Sequence, residues 1–276
     1  MIIFNASMLN KNPTGVGIYS RKLIDIISKN TTLKFKILFI AETKFMSIYR
    51  LLWNFFCLPL KAKNGDLIFS FSTHGTPFHK KQIITIHDLI CLNFPEQHKF
   101  QYYYFKYLVP YILKSCKHIV AISEFTKSEI LKFYNISSDK ISVIHNGANV
   151  IKYSPSESVE NQIAEITNNR PFFITVGAAY SHKNMFRLIE AVELINNKEI
   201  VFLIVGKKNE YLQSVENFAS KKKLDQVKFL NYVDDNLLAG LYTKAIANIY
   251  LSLYEGFGFP PLEAASVGSL SIVSDI

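Results

Sequence analysis

Short apolar runs alternate with longer segments whose apolar residues recur every three or four positions, and the alternation persists through all 276 residues. In the first half, residues 2–5, 36–40, 67–70, 83–86, 118–122 and 141–144 have the length and β-branched content of strands. Between them, residues 16–28, 45–58, 100–113 and 124–133 carry a helical period. The rhythm restarts after a polar stretch that opens with Ser154-Pro155-Ser156 and contains a helical segment at 159–166. Strands are then expected at 172–176, 200–205, 228–230, 247–251 and 270–274. Helices are expected at 184–195, 211–221 and 235–244, with one more opening near Pro261. A repeated strand-then-helix order builds a parallel sheet with helices on both faces and right-handed crossovers. The pattern therefore predicts an α/β chain of two Rossmann-like, doubly wound parallel-sheet domains, residues 1–150 and 151–276, facing a cleft. Ligands of such sheets sit beyond the carboxyl ends of the strands.

Composition narrows the class. Apolar residues make up 49% and charged residues 19%, enough for two buried cores. The three cysteines, Cys57, Cys91 and Cys116, lack metal-ligand spacing and fit a reducing compartment. No signal peptide is evident, and the longest apolar run, 48–60, is broken by Arg50, Asn54 and Pro59. A cytoplasmic protein is expected. Residues 1–150 hold 19 Lys/Arg against 8 Asp/Glu, a net +11, while the remainder is net −2. The basic residues are dispersed and match no nucleic-acid motif, so nucleic acid is not an expected partner. Peripheral contact at the inner face of a membrane is expected of the basic half, where the aromatic stretch QYYYFKYLVPYIL, 101–113, also lies.

The densest chemistry lies in YEGFGFPPLEA, Tyr254 to Ala264. It follows a strand, and Gly256 and Gly258 let the backbone turn sharply and approach a ligand. Pro260 and Pro261 suit the first helical positions. A helix opening there directs unpaired N–H groups and a positive dipole end into the crevice, an anion site suited to a diphosphate. Glu255 stands before the glycine loop, where it can hold sugar hydroxyls. Glu263 falls in the first helical turn, where it can hold a ribose diol.

This segment resembles the donor-binding signature of retaining glycosyltransferases of GT-B fold, family 4 type. ITVGAAYSHKN (174–184), ITIHDL (84–89), AISEFTKSEI (121–130), SVIHNGAN (142–149) and TGVGIYSRKL (14–23) resemble other family segments in order and spacing. LLWNFFCLP and GDLIFSFSTHGTP are similar to the subset with bacterial O-antigen and exopolysaccharide mannosyltransferases. The resemblance implies a GT-B architecture and retaining hexosyl transfer, with mannose from GDP-mannose as the donor. The acceptor would be a hydroxyl of a growing polysaccharide or lipid-linked glycan. No metal or other cofactor is implied, and the chain has no Asp-x-Asp motif.

The resemblance assigns catalytic roles to His87, Lys183 and Glu255. Donor binding falls to Gly15, Gly17, Gly177, Lys183, Gly206, Tyr232, Val233, Glu255, Gly256, Phe257, Gly258 and Glu263. Asp88 is assigned to the acceptor. Lys183 would neutralise the departing diphosphate, Tyr232 and Val233 would flank the base, and Gly15 and Gly17 would precede the first helix. Ala178 stands where many relatives carry an arginine. GSLSIVSDI, ending at Ile276, resembles a strand after which further strands and helices follow in the family. A C-terminally truncated second domain is therefore expected. The alternative is an inactive remnant that at most binds nucleotide-sugar.

Overall fold

The computed structural model describes residues 1–10, 15–30, 32–43, 46–63, 65–148, 151, 153–154 and 156–276. Thr14, Phe45, Asn149 and Pro155 lie outside these residues, as does Val150 at the expected domain boundary. The chain divides into two compact units, Met1–Asn146 and Gly147–Ile276, each with its own sheet.

The first unit holds six parallel strands: β1 (Ile2–Asn5), β2 (Phe35–Leu38), β3 (Leu67–Ser70), β4 (Gln82–Ile86), β5 (His118–Ala121) and β6 (Ile141–Val143). Their order is β2-β1-β3-β4-β5-β6. Ile2 stands opposite both Phe35 and Leu67. The order reverses between β1 and β3, and a crevice opens past their carboxyl ends. Both faces are covered, which is why the strands read as apolar runs rather than as an alternation. Ile84, Ile86 and Ile119 pack with Ile112, Leu113 and Ile130, and Ile3 and Ile68 pack with Trp53 and Leu58.

Two helices of this unit depart from the uninterrupted expectation. Met46–Leu52 passes through a π turn, Trp53–Cys57, into Leu58–Lys61. Lys99–Tyr103 passes through Tyr104–Leu108 into Val109–Ser115. In each, a proline, Pro59 or Pro110, stands just beyond the wide turn. Proline lacks an N–H and its ring strikes the carbonyl four residues back, so widening the turn relieves the clash. The amides of Leu58 and Val109 reach back five residues, to the carbonyls of Trp53 and Tyr104. Carbonyls left over find outside donors. Thr76 Oγ1 donates to Phe55 at 3.4 Å and the Tyr134 hydroxyl to Phe105 at 2.9 Å.

The second unit holds β7 (Phe172–Val176), β8 (Val201–Val205), β9 (Val227–Leu230), β10 (Asn248–Tyr250) and β11 (Ser271–Val273), all parallel. Their order, β11-β10-β7-β8-β9, reverses between β7 and β10. Helix Met185–Ile195 packs on one face through Met185, Leu188, Ile189 and Val192. Glu157–Thr167 and Asp235–Lys244 pack on the other through Val159, Ile163, Leu237 and Leu241. At the β11 edge, Leu270, Ile272 and Val273 are exposed. Among the described residues no helix is long and apolar enough to cross a membrane.

Candidate active site

In the second unit the loops that follow β7 and β10 bring together Lys183 and Glu255, two of the residues singled out from the sequence. Gly177, just past β7, has φ +79°, a left-handed conformation that favours glycine, and its amide donates to the Val205 carbonyl at 2.9 Å. The chain then forms a 3-10 turn, Ser181–Lys183. Asn184, at φ 61°, turns it into helix Met185–Ile195. Leu253, beyond β10, donates its amide to the His182 carbonyl at 2.7 Å and ties the two loops together.

Their charged side chains meet. Lys183 Nζ lies 2.5 Å from Glu255 Oε1 and 2.8 Å from the Tyr250 hydroxyl, and sits 4.7 Å from the centre of the Tyr250 ring. The two partners of the ion pair expose only 13% and 16% of their side chains. Attraction is stronger in this partly dehydrated setting, and loss of either partner strands the other charge. Burial, and then the Glu255 carboxylate, push the Tyr250 hydroxyl above its ordinary pKa, so it stays a neutral phenol.

The glycine loop continues from this pair. Gly258, at φ +84°, caps helix Phe259–Ser266, which opens two residues earlier than Pro261. A helix start leaves four N–H groups without intrahelical partners. Pro260 and Pro261 lack two of them, leaving those of Gly258 and Phe259, so the anion site has fewer donors than a helix start alone implies. Gly256 is buried, and the Phe257 ring packs 5.2 Å from that of Phe259.

Glu263 lies in the second turn of this helix and not, as expected, in the first, because the helix opens already at Phe259; it makes no ion pair among the described residues. Burial, and then repulsion from Asp235, raise its carboxyl pKa. Tyr242 is fully buried, and its hydroxyl finds no hydrogen-bond partner. Burial and then Glu263 raise its pKa too. A buried hydroxyl without a partner beside an uncompensated carboxylate is costly to hold, and such costs concentrate where ligands bind.

The residues expected at the base separate. The Gly206 amide donates to the Leu230 carbonyl at 3.0 Å, and a Cβ on Gly206 would stand 3.1 Å from the Ala178 amide nitrogen. Glycine thus lets the β8 loop lie close against the β7 loop. Tyr232 is 85% exposed, whereas Val233 is half-buried and packs against the core that holds Leu237 and Leu241. Arg187, close to the arginine-less loop, pairs with Glu190 at 2.8 Å.

In the first unit, His87 follows β4. Its Nε2 lies 2.9 Å from the Phe71 carbonyl, and Tyr19 meets its ring edge-on at 4.7 Å. A carbonyl only accepts, so Nε2 carries the proton and Nδ1 keeps its lone pair. Burial holds the imidazole pKa below its ordinary value. Asp88 Oδ1 accepts from the Ile90 amide at 3.1 Å, just before the short helix Ile90–Asn93. Gly15 and Gly17 do not precede the first helix: Gly15 opens Gly15–Asn30 and Gly17 is buried within its first turn. A helix tolerates glycine at its opening turn, and the expectation mistook that turn for a loop.

Tyr250 and Tyr242 were missed from the sequence. Tyr250 closes an apolar strand and Tyr242 lies on the apolar face of a helix, and both patterns read as core. Two signals existed: Tyr250 is the last strand residue before the glutamate loop, and a tyrosine in a core needs a hydroxyl partner.

A model of Glycosyl transferases group 1 matches residues 157–276, and one of Glycosyltransferase Family 4 matches residues 38–151. The O-antigen chain mannosyltransferase RfbU of Salmonella typhimurium is 34% identical over 221 residues, 79% of this chain and 59% of its own length. The chain thus spans about three-fifths of that relative. Sucrose-phosphate synthase from Thermosynechococcus elongatus superposes with a TM-score of 0.76 at 16% identity, covering 100% of this chain and 81% of that one. Anabaena HepE in complex with UDP-glucose superposes with a TM-score of 0.69 at 16% identity, covering 99% and 80%. These structural likenesses show a GT-B fold.

Proposed function

Because the chain belongs to the glycosyltransferases, with a family 4 domain followed by a group 1 domain, we propose that it moves a mannosyl group from GDP-mannose to a hydroxyl of a growing polysaccharide or lipid-linked glycan, with retention. The observation that carries this assignment is the cluster of Lys183, Glu255 and Tyr250 at the crevice of the second sheet, with Glu263 on the helix that follows. The name of the O-antigen mannosyltransferase relative supports the sugar, and the UDP-glucose complex of a structural neighbour supports a nucleotide-sugar.

In this scheme the donor diphosphate lies against the amides of Gly258 and Phe259 and draws Lys183 away from Glu255. Lys183 then offsets the charge that develops as the anomeric carbon–oxygen bond breaks. Glu255, released, accepts hydrogen bonds from the sugar hydroxyls, and Tyr250 keeps the lysine positioned. Glu263 accepts from the ribose diol, which supplies the donors its carboxylate lacks. The acceptor hydroxyl attacks the anomeric carbon on the face the phosphate leaves. Its proton passes to the departing phosphate oxygen. In the first unit, His87 keeps a neutral Nδ1 acceptor. The work takes place in the cytoplasm, at the inner face of the membrane.

Calorimetric titration with GDP-mannose tests the site. Glu263→Ala should weaken binding by about tenfold or more, the loss expected for hydrogen bonds to a charged group. Affinity equal to wild type would remove Glu263 from the donor site. Lys183→Ala should lower the rate of labelled mannose transfer by about 10²–10³, the scale of a lost electrostatic stabiliser.

A further inference from the structure

The first unit has its own crevice, between β1 and β3, and none of the residues assigned to the donor or to catalysis lines it. It is a cavity of about 100 Å³ between the two π-interrupted helices. Arg50, Ser47, His74, Gln101 and Tyr104 contribute to its wall. A buried polar network holds the backbone of two of these wall residues, Arg50 and His74. Asn5 Nδ2 lies 2.7 Å from Asn54 Oδ1 and 2.9 Å from the His74 carbonyl, and Asn54 Nδ2 donates to the Arg50 carbonyl at 2.8 Å. Buried amides held this way fix the wall from behind.

Arg50 is the member left with charge to spend. Its Nε donates to the Ser7 carbonyl at 2.9 Å, which orients the guanidinium. Among the described residues it makes no ion pair. Burial alone lowers its pKa, with no carboxylate contributing. The neighbouring His74, stacked 5.6 Å from Tyr104, is held neutral, its pKa lowered to about 3 by burial and then by Arg50. The field in the cavity is therefore positive and unopposed. A guanidinium with free N–H groups matches phosphate oxygens in a two-pronged contact. The cavity admits a phosphoryl group and is too small for a sugar nucleotide.

We propose that this cavity is a phosphoryl-anion site, with Arg50 as its main contact and Ser47 and Gln101 at its mouth. The assignment does not rest on the donor site of the second unit. The outer faces of the two helices favour a lipid-borne phosphate ester over free phosphate. Ile48, Leu52, Phe56 and Leu60 are exposed on one, at four-residue spacing. Tyr103, Tyr107 and Tyr111 are exposed on the other, and Lys106 lies over the Tyr102 and Tyr107 rings. Apolar and aromatic faces with lysines suit a bilayer interface.

The single tryptophan, Trp53, lies one turn from Arg50 and reports locally. Inorganic phosphate and a short-chain prenyl phosphate are titrated against its fluorescence in the full chain. Saturable binding is expected, about tenfold weaker or worse in Arg50→Gln because a charged, two-pronged contact is lost. Gln101→Glu, an exposed and nearly isosteric change, should abolish binding by repulsion and covers the case in which Arg50→Gln does not fold. Tighter binding of the prenyl ester identifies the lipid source, and equal binding identifies free phosphate as sufficient. Binding unchanged in both variants, or no fluorescence response in wild type, overturns the proposal. GDP-mannose affinity should be unaltered in both variants, so failure here is distinct from failure of the donor site.

Discussion

Glu263 carries a cost that the proposed ribose contact would explain. Its carboxyl holds a proton above the usual carboxylate range, because burial and Asp235 disfavour the charge. Between the unfolded and folded pKa values the folded chain binds more protons. Glu263's contribution to stability is therefore fully present below the unfolded value and is lost as pH rises to the folded one. Glu263→Gln removes that loss. It should melt higher than wild type at neutral pH and equally below the ordinary carboxylate pKa, while binding GDP-mannose less well. Thermal melts across pH check the sign, and a variant that melts lower at pH 7 refutes it. Tyr242→Phe deletes a buried hydroxyl that has no partner. It should be neutral or stabilising, by about 1 kcal/mol at most, in denaturant titration.

At the scale of elements, both crevices are shaped by loops that depend on particular backbone states. Gly258 at φ +84° makes the hinge between the Glu255 loop and its helix. Gly258→Ala should cost about 1 kcal/mol in a urea melt, because alanine resists the left-handed conformation. The π turns depend on outside donors for the carbonyls freed beside Pro59 and Pro110. Tyr134→Phe, which strands the Phe105 carbonyl, should cost about 1–3 kcal/mol by the same measurement. Strands and helices were legible at this scale because each has one period and one buried face. Helix 124–133 and strand 172–176 fall where their patterns put them. The π turns were not legible. Pro59 and Pro110 mark a disturbance in the sequence, but whether a helix kinks, stops or widens depends on which donor packs against it. Gly15 and Gly17 were misjudged for a related reason: glycine marks permission to turn, and the chain did not use it.

On the scale of the whole chain, two units with separate cores and separate crevices should respond separately to ligand. Hydrogen exchange with and without GDP-mannose should show protection in β7, β10 and helix Phe259–Ser266, and none in β1 to β3. A prenyl phosphate should protect helix Met46–Leu52 instead. At a hundredfold excess over Kd, bound ligand adds about 2.7 kcal/mol of stability. The sequence by itself determined the two parallel sheets and the family, because alternating periods and a glutamate–glycine–proline loop are local properties of the chain. Lys183 and Glu255 were also named from it, each from its own loop. Only the tertiary structure decided that they form one ion pair over Tyr250 and that Val233 packs against the core while Tyr232 stands exposed. It alone left Arg50 uncompensated in a cavity of its own. Those facts depend on strand order. Reversal between β7 and β10, and between β1 and β3, brings together loops tens of residues apart, and no local pattern records which strands become neighbours.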